Sequence, residues 1–188
     1  MAQTTGHNAS RPTGVPARVA EYIAALRLDD SAQRVYARKA LVVMGPQAVP
    51  ALTEALFAPE SSVRWEAATA LLEMADPSSA AALVQALDDE EVGIRWLASE
   101  ALIKLGANAV PHVLQGLIEH EMTANFREGC ERVLRHVANP ELAQVIEPVL
   151  AALQDAAPDV QAPISARKAL DALRSHVPTA EDEDRAAA

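Results

Sequence analysis

Aromatic residues and glycine are both scarce in this chain. Of its 188 residues, 3% are aromatic and seven are glycine, although 50% are apolar. Seven glycines are too few for the many tight turns of a β-sandwich of this length. The apolar half is dominated by small residues, with 40 alanines, and alanine and leucine have the highest helix propensities. The composition therefore predicts a helical domain whose core is built from alanine, leucine and valine.

Cysteine and long apolar runs are equally rare. The single cysteine, Cys130, cannot form an internal disulfide, and no apolar run approaches the ~20 residues that a membrane-spanning helix needs. The first 14 residues lack a basic start followed by an apolar block, so we expect no signal peptide. A reducing cytoplasm is the predicted location, and a membrane is not a predicted partner.

Basic residues are outnumbered by acidic ones, 16 to 26, which gives a formal net charge of −10. Non-specific binding to nucleic acid depends on lysine and arginine side chains that neutralise phosphates, and the chain has only three lysines. The charge therefore argues against nucleic acid and anionic membrane surfaces as partners.

A nine-residue segment recurs along the chain. Residues 63–71 (VRWEAATAL) recur as residues 94–102 (IRWLASEAL), displaced by 31 positions. A further copy lies 30 positions before the first of these segments, and another lies 32 positions after the second. Within residues 63–71 the apolar side chains fall at i, i+4, i+7 and i+8, which is one face of an α-helix. A fainter fifth copy covers residues 166–173.

A second phrase recurs between these copies. It reads AVPAL at 48–52, AAAL at 80–83 and AVPHV at 109–113, and a degenerate fourth copy covers 146–153. Proline near the first turn, acidic or hydroxyl residues before each helix, and Gly45 and Gly106 after two of them are typical helix boundaries. The repeated unit is therefore predicted to be helix, turn, helix.

The acidic turn, the Val-Arg-Trp-x-Ala-x-x-Ala-Leu helix and the Ala-Val-Pro-Ala-Leu helix resemble the HEAT-repeat family, in its short form named after the bilin lyases of phycobilisomes. The resemblance covers residues 16–175, and the units are shorter than the ~40–47 residues of ordinary HEAT repeats. It implies an all-α fold, a right-handed α-solenoid (α-α superhelix) of about four to five HEAT-like helix pairs.

The predicted domain boundaries follow from where the repeats stop. We expect the solenoid to cover residues 15–177, with residues 16–28 and 163–175 as its end caps. The segments 1–14 and 178–188, the second of which is an acidic tail, carry little to bury and are predicted to be disordered.

One arginine stands at the same position in each of the first four copies of the helical segment. Stacking should align these arginines along the solenoid, where they could bind an anionic partner. Acidic turn residues such as Asp88 or Glu60 lie within reach, however, and arginine forks suit ties between repeats. We therefore assign a structural role to this arginine row, which consists of Arg34, Arg64, Arg95 and Arg127.

Trp65 and Trp96, the only tryptophans, also occupy one repeat position. At ~100° per residue they lie on a different side of their helices from the core seam, as do several aliphatic residues, and the pattern stops at Glu128 and Arg135. Exposed, these side chains would form an apolar ladder of the kind that binds a partner or a second copy of the chain. Burial between repeats is the alternative. The predicted partner-binding set is Trp65, Trp96, Leu72, Ile103, Val35 and Val42.

Residues that could support catalysis are few. One HEAT-like enzyme family, the deoxyhypusine hydroxylases, binds iron through repeated His-Glu pairs, but here that pair occurs once, at residues 120–121, and the matching register reads Trp65-Glu66 and Trp96-Leu97. Cys130 stands at a core alanine position and is predicted to be a buried hydrophobe. We predict no catalytic residues, no metal and no cofactor.

The sequence therefore predicts a non-catalytic scaffold or adaptor that presents solenoid surfaces to a protein partner. The alternative is an enzyme-associated HEAT protein of bilin lyase-like or HEAT oxidoreductase-like type. Self-association through the tryptophan positions also remains open.

Overall fold

The computed structural model describes residues 14–175, and within this range it is helical without a strand. The predicted disordered segments 1–14 and 178–188 lie outside the described residues, apart from Gly14. Ten α-helices follow one another in this range: α1 Val15–Ala25, α2 Ser31–Met44, α3 Val49–Ala55, α4 Ser61–Met74, α5 Ala80–Gln85, α6 Val92–Leu105, α7 Val110–Glu119, α8 Ala124–Val137, α9 Pro140–Leu153 and α10 Pro158–Ser175.

The first eight helices form two rows. In row A, α2, α4, α6 and α8 each pack against the next member. In row B, α1 packs against α3 and α5 against α7, while the 3-10 turn Pro77–Ser79 contacts both α3 and α5. Each row-B helix also packs against the row-A helix that follows it. The fold is therefore the α-solenoid that the repeats predict.

Alanine and leucine fill the interior, as the composition predicts. Residues at the same place in successive row-A helices are fully buried, and two such columns run through the structure; they are Ala37, Ala67, Ala98 and Cys130, and Leu41, Leu71, Leu102 and Leu134. Small side chains in the first column let neighbouring helices approach closely, and the leucines fill the space between the rows.

The connections from row A to row B share one backbone feature. Gly45, Ala75 and Gly106 follow α2, α4 and α6, and each has a positive φ, of 67°, 50° and 60°. A 3-10 turn then leads into the row-B helix in every case. Gly45 and Gly106 have ψ −147° and −131°, a region that glycine adopts without strain, whereas Ala75 has ψ 44°, the left-handed helical conformation that its methyl group makes costly. In all three connections a positive φ thus precedes the return of the chain to row B.

The last hairpin departs from the predicted order. We expected residues 146–153, in α9, to continue row B, and residues 166–173, in α10, to continue row A. Instead α9 packs against α8, and α10 packs against α7 as well as α9. The terminal hairpin therefore lies reversed, with α9 beside the end of row A and α10 beside the end of row B.

The link after α8 accounts for this reversal. Ala138 has an extended backbone, with φ −60° and ψ 124°, and neither a positive φ nor a 3-10 turn follows α8. Asn139 caps α9 at once by accepting a hydrogen bond from the Leu142 N–H at 2.8 Å. The two-residue link therefore turns the chain next to α8 rather than back to row B.

Candidate interaction surface

The arginine row makes one recurrent contact with the turns of the solenoid. In three of its members, Nη1 donates to the backbone carbonyls of the residues six and five positions earlier, at 2.8 to 3.1 Å; these members are Arg34, Arg64 and Arg95. The carbonyls belong to the turn after a row-B helix, where no intrahelical N–H reaches them. Each guanidinium thus satisfies two acceptors in its own repeat.

Arg64 also ties its repeat to the next one. Its Nε and Nη2 donate to the two carboxylate oxygens of Asp89 at 2.7 and 3.1 Å, and Nη2 donates to Glu90 at 2.8 Å. The Arg64 and Asp89 side chains are both 7% exposed, and the hydrogen bond to Asp89 raises the pKa of Arg64. A bidentate pair of this kind holds two repeats in a fixed geometry.

The acidic partners are not the ones that we expected. Asp88 accepts a hydrogen bond from the Thr123 hydroxyl at 2.5 Å, and Glu60 lies 4.0 Å from Arg27. Arg127 lies outside the recurrent pattern, since its Nη1 donates to the carbonyl of Leu153 at the end of α9, at 3.3 Å. The turn before Arg127 is two residues longer than the earlier ones, which changes the carbonyls within its reach.

Both tryptophans are about half exposed, Trp65 to 46% and Trp96 to 51%. For Trp65 the outcome lies between the two alternatives, because its ring also contacts the following repeat. The Trp65 ring lies over Gly93 at the start of α6, where any Cβ would collide with it. Because residue 93 is glycine, the Trp65 ring can lie between the two repeats.

Each tryptophan lines a groove between consecutive row-A helices. The Trp65 groove has a volume of about 370 Å³ and is lined among others by Arg34, Ser62, Trp65, Glu66, Glu91 and Gly93. The Trp96 groove has a volume of about 160 Å³ and is lined among others by Val92, Trp96, Asn125, Glu128, Gly129 and Arg132. The two grooves are adjacent, and each combines an aromatic wall with charged side chains.

The four aliphatic members of the predicted ladder are less exposed than the tryptophans. Val42, Leu72 and Ile103 are partly buried and pack against the core, and Val35 is partly buried too. A continuous apolar ladder is therefore not what the surface presents. It presents two separate tryptophan grooves, and the four aliphatic side chains are not part of either lining.

Two guanidinium nitrogens in these grooves have no hydrogen-bond partner. Within the described residues, the buried side-chain nitrogen atoms without one are Nε of Arg34, in the Trp65 groove, and Nε of Arg132, in the Trp96 groove. Arg132 pairs through Nη2 with Glu100 at 2.5 Å, whereas the described residues offer Arg34 no carboxylate. The residues equivalent to Asp89 and Glu90 in the turn before α4 are an alanine and a proline.

Sequence reasoning missed eight exposed large apolar side chains in the described range, four of which bear on the row-A surface and its surroundings. Val92, 70% exposed, stands in the Trp96 groove, and Phe57, 52% exposed, follows α3. Tyr36 and Val43, 68% and 87% exposed, lie on α2 at the repeat positions of Glu66 and Glu73. Aligning the repeats marks the latter two, because the same positions in α4 face the preceding helix.

The remaining candidates have ordinary surroundings. His120 is exposed and its ring lies 5.3 Å from that of Phe126, centroid to centroid. Cys130 is fully buried, and burial raises the pKa of its thiol far above the usual value. In the range 14–175 no three His, Cys, Asp or Glu side chains are grouped so that they could hold a metal ion.

A cavity of about 550 Å³ lies between α1 and α3, on the row-B side. Small apolar residues such as Val19, Ile23 and Ala51 line most of it, and Arg27 and Glu54 are its charged residues. No nucleophile, and no histidine or cysteine, lines it. The cavity is therefore an apolar cleft between two row-B helices, with one cation and one carboxylate in its lining.

Comparison with known proteins agrees with the architecture. None of the described helices is long and apolar enough to span a bilayer, and the search of curated proteins gives no match. A family model described as HEAT repeats matches residues 19–103 and again residues 49–135, so that the two matches together cover more than half of the chain. With its repeated helix pairs stacked in two rows, the chain belongs to the HEAT-repeat family.

Proposed function

We propose that this protein is a non-catalytic interaction scaffold and that its two tryptophan grooves bind a segment of a protein partner. The observation that carries this proposal is the pair of half-exposed tryptophans at equivalent positions in adjacent grooves. A tryptophan can bury on the order of 150–250 Å² in a contact, and tryptophan is enriched among the residues that dominate binding energy. Neighbouring row-A helices pack about 8–10 Å apart, so one short segment can reach both grooves.

The charges in the grooves indicate the chemistry of that segment. Arg34 has no carboxylate partner among the described residues, and a guanidinium left without one can donate hydrogen bonds to an anionic side chain. Next to it, Trp65 offers an apolar wall. We therefore infer that the segment carries an apolar side chain for each tryptophan and an aspartate or glutamate for Arg34.

Two finer assignments belong to the same proposal. The repeat spacing of 30 to 32 residues supports placing the chain with the short, bilin-lyase-type HEAT repeats. The single buried cysteine is compatible with a reducing cytoplasm.

The proposal is tested by capturing partners from the native host on immobilised wild-type protein and on Trp96→Ser, Trp65→Ser and Phe57→Ser variants. Phe57 is the matched control, because it is as exposed as Trp96 but lies outside the grooves. A protein retained by the wild type and by Phe57→Ser, but not by the tryptophan variants, is then purified and titrated. We expect Trp96→Ser to weaken its Kd by a factor of roughly 30, the size of a ~2 kcal/mol hot spot.

Tryptophan emission gives a second readout, since the chain has only two tryptophans. On binding, both rings leave water, so the emission maximum of the wild type should move to shorter wavelength. The proposal is contradicted if every protein that the wild type retains is retained equally by Trp96→Ser and Trp65→Ser, or is lost equally in Phe57→Ser. An emission maximum that the purified partner leaves unmoved contradicts it too.

A further inference from the structure

Three arginines of the row are held in one orientation but are not occupied to the same extent. In Arg34, Arg64 and Arg95, Nη1 is bonded to two carbonyls of the preceding turn. Arg64 also uses Nε and Nη2, which donate to Asp89 and Glu90. Within residues 14–175, the same two nitrogens of Arg34 and Arg95 have no acceptor, and neither arginine is in an ion pair. The row therefore has a free guanidinium edge on either side of an occupied one.

The two free edges belong to the two tryptophan grooves. Arg34 lines the Trp65 groove, and Arg95 lines the Trp96 groove. Among the four nitrogens of these edges, Nε of Arg34 is buried, whereas Nη2 of Arg34 and both nitrogens of Arg95 are in contact with solvent. A carboxylate from outside can therefore reach each guanidinium, as the carboxylate of Asp89 reaches that of Arg64.

We propose that Arg34 and Arg95 bind two carboxylates of one extended partner segment, which stand about five or six residues apart. The proposal rests on the proposed function, since the segment is the one that the tryptophan grooves bind. Two steps between neighbouring row-A helices separate α2 from α6, or about 16–20 Å at 8–10 Å per step. An extended chain advances about 3.3 Å per residue, so about five or six residues cover this distance.

The charges between and beside the free edges restrict where the acids can stand. Arg64, in the middle, already has two carboxylates and needs no third. Glu91 lines the Trp65 groove and Glu128 lines the Trp96 groove, and neither is in an ion pair within the described residues. A continuous run of acids would place like charges against them. The segment therefore carries two separate acids, with uncharged residues between them that can face the tryptophans.

The same charges favour a protein segment over a nucleic acid. A strand of nucleic acid carries one phosphate per nucleotide, so its phosphates would also lie against Glu91 and Glu128. The chain as a whole has a net charge of −10, which repels a polyanion. Two isolated carboxylates on an otherwise uncharged segment avoid both costs.

The test uses the full chain and a synthetic peptide, DLSSLD, acetylated and amidated so that its two acids, five residues apart, are its only charges. The arginine Nε–H signals are followed by nitrogen-15 NMR at pH 6 while the peptide is raised to 5 mM. We expect the signals of Arg34 and Arg95 to shift with one common Kd and that of Arg64 to stay in place. The control peptide LDDSSL has the same composition with adjacent acids. It should bind roughly 10-fold more weakly, because it can fill one site at a time.

Three variants locate the two carboxylates. Position 58 is the repeat equivalent of Asp89, so Ala58→Asp offers Arg34 an internal carboxylate and leaves its carbonyl bonds in place. We expect this variant, and Arg95→Gln, to bind DLSSLD roughly 10-fold more weakly than the wild type. Arg18→Gln is the control, because Arg18 is exposed on α1 and lines neither groove, and it should bind like the wild type. Circular dichroism verifies that each variant is folded, and Arg95→Gln decides alone if Ala58→Asp is not.

Three outcomes overturn the inference. They are Arg34 and Arg95 signals that do not move at 5 mM DLSSLD, equal affinity for the two peptides, and folded variants that bind DLSSLD as tightly as the wild type and Arg18→Gln. A captured partner whose affinity falls in Trp96→Ser but not in Arg95→Gln also overturns it, and leaves the proposed function standing. Partners that the tryptophan variants retain contradict the proposed function instead, so the two proposals fail separately.

Discussion

The two ends of the solenoid differ in how far other helices cover their outermost helices. At the start, no row-A helix precedes α2 within residues 14–175, and Tyr36 and Val43 remain in contact with solvent. At the other end, a reversed hairpin covers both rows, with α9 on α8 and α10 on α7. The comparison teaches that a repeat array can be closed by changing the direction of its last hairpin as well as by adding a polar repeat.

Local backbone geometry explains why only one end is closed in this way. A positive φ and a 3-10 turn return the chain to row B after α2, α4 and α6. After α8 the extended Ala138 and the N-cap Asn139 start α9 directly. The residues that connect two helices are thus as informative about the row that the second helix joins as the helices themselves.

The largest effect expected from this comparison concerns one buried leucine of the closed end. Leu153 in α9 is fully buried, so Leu153→Ala should lower the free energy of unfolding by about 2–5 kcal/mol. Val43→Ala at the open end should change it by less than about 0.5 kcal/mol, because Val43 is largely exposed. Urea titration followed by circular dichroism measures both values.

Hydrogen exchange shows which helices lose stability in Leu153→Ala. In Leu153→Ala we expect faster amide exchange in α9 and α10 than in α4 and α6, since a solenoid repeat contacts mainly its neighbours. A loss of stability in Val43→Ala as large as that in Leu153→Ala would show that the open end is not open in solution.

A smaller effect is expected at the connections. Ala75 adopts the left-handed conformation at a cost that glycine avoids, so Ala75→Gly should raise the free energy of unfolding by about 0.5–1 kcal/mol. Ala138→Gly should instead lower it by up to about 1 kcal/mol, because Ala138 is extended and glycine adds only freedom to the unfolded chain. Opposite signs in thermal unfolding would support the account of the reversal, whereas a gain in both variants would refute it.

Much of the regular part could be predicted from the sequence. The 30- to 32-residue period, the acidic caps and the glycines at positions 45 and 106 predict helix pairs and their order, and the structure has them. The buried Cys130 follows from its alanine position. These features are local or periodic, so one copy of the repeat informs the next.

The reversed hairpin and the half-exposed tryptophans could not be predicted in the same way. Periodicity shows that residues 146–153 are helical but not which row they join, because that depends on the two residues after α8. The position of Trp65 depends on Gly93, which lies in the next repeat and has no side chain to mark the contact. The exposure of Tyr36 can be recognised only once the helix that packs against each repeat is known.

The smallest expected effect is a pH dependence of the closed end. The carboxylate of Glu131 in α8 accepts hydrogen bonds from Gln154 beyond α9, at 2.8 Å, and from Arg135, and these lower the pKa of Glu131. A pKa that is lower in the folded than in the unfolded state adds stability above the unfolded value, and this stability is lost as the pH falls through the folded value. Since the pair with Arg135 is partly exposed, the gain in the free energy of unfolding should be a few tenths of a kcal/mol.

Between pH 6 and pH 3 the melting temperature of the wild type should therefore fall slightly more than that of Glu131→Gln. Glu141→Gln, on the exposed side of α9, is the control. Parallel curves for wild type and Glu131→Gln would mean that Glu131 does not hold the hairpin against α8.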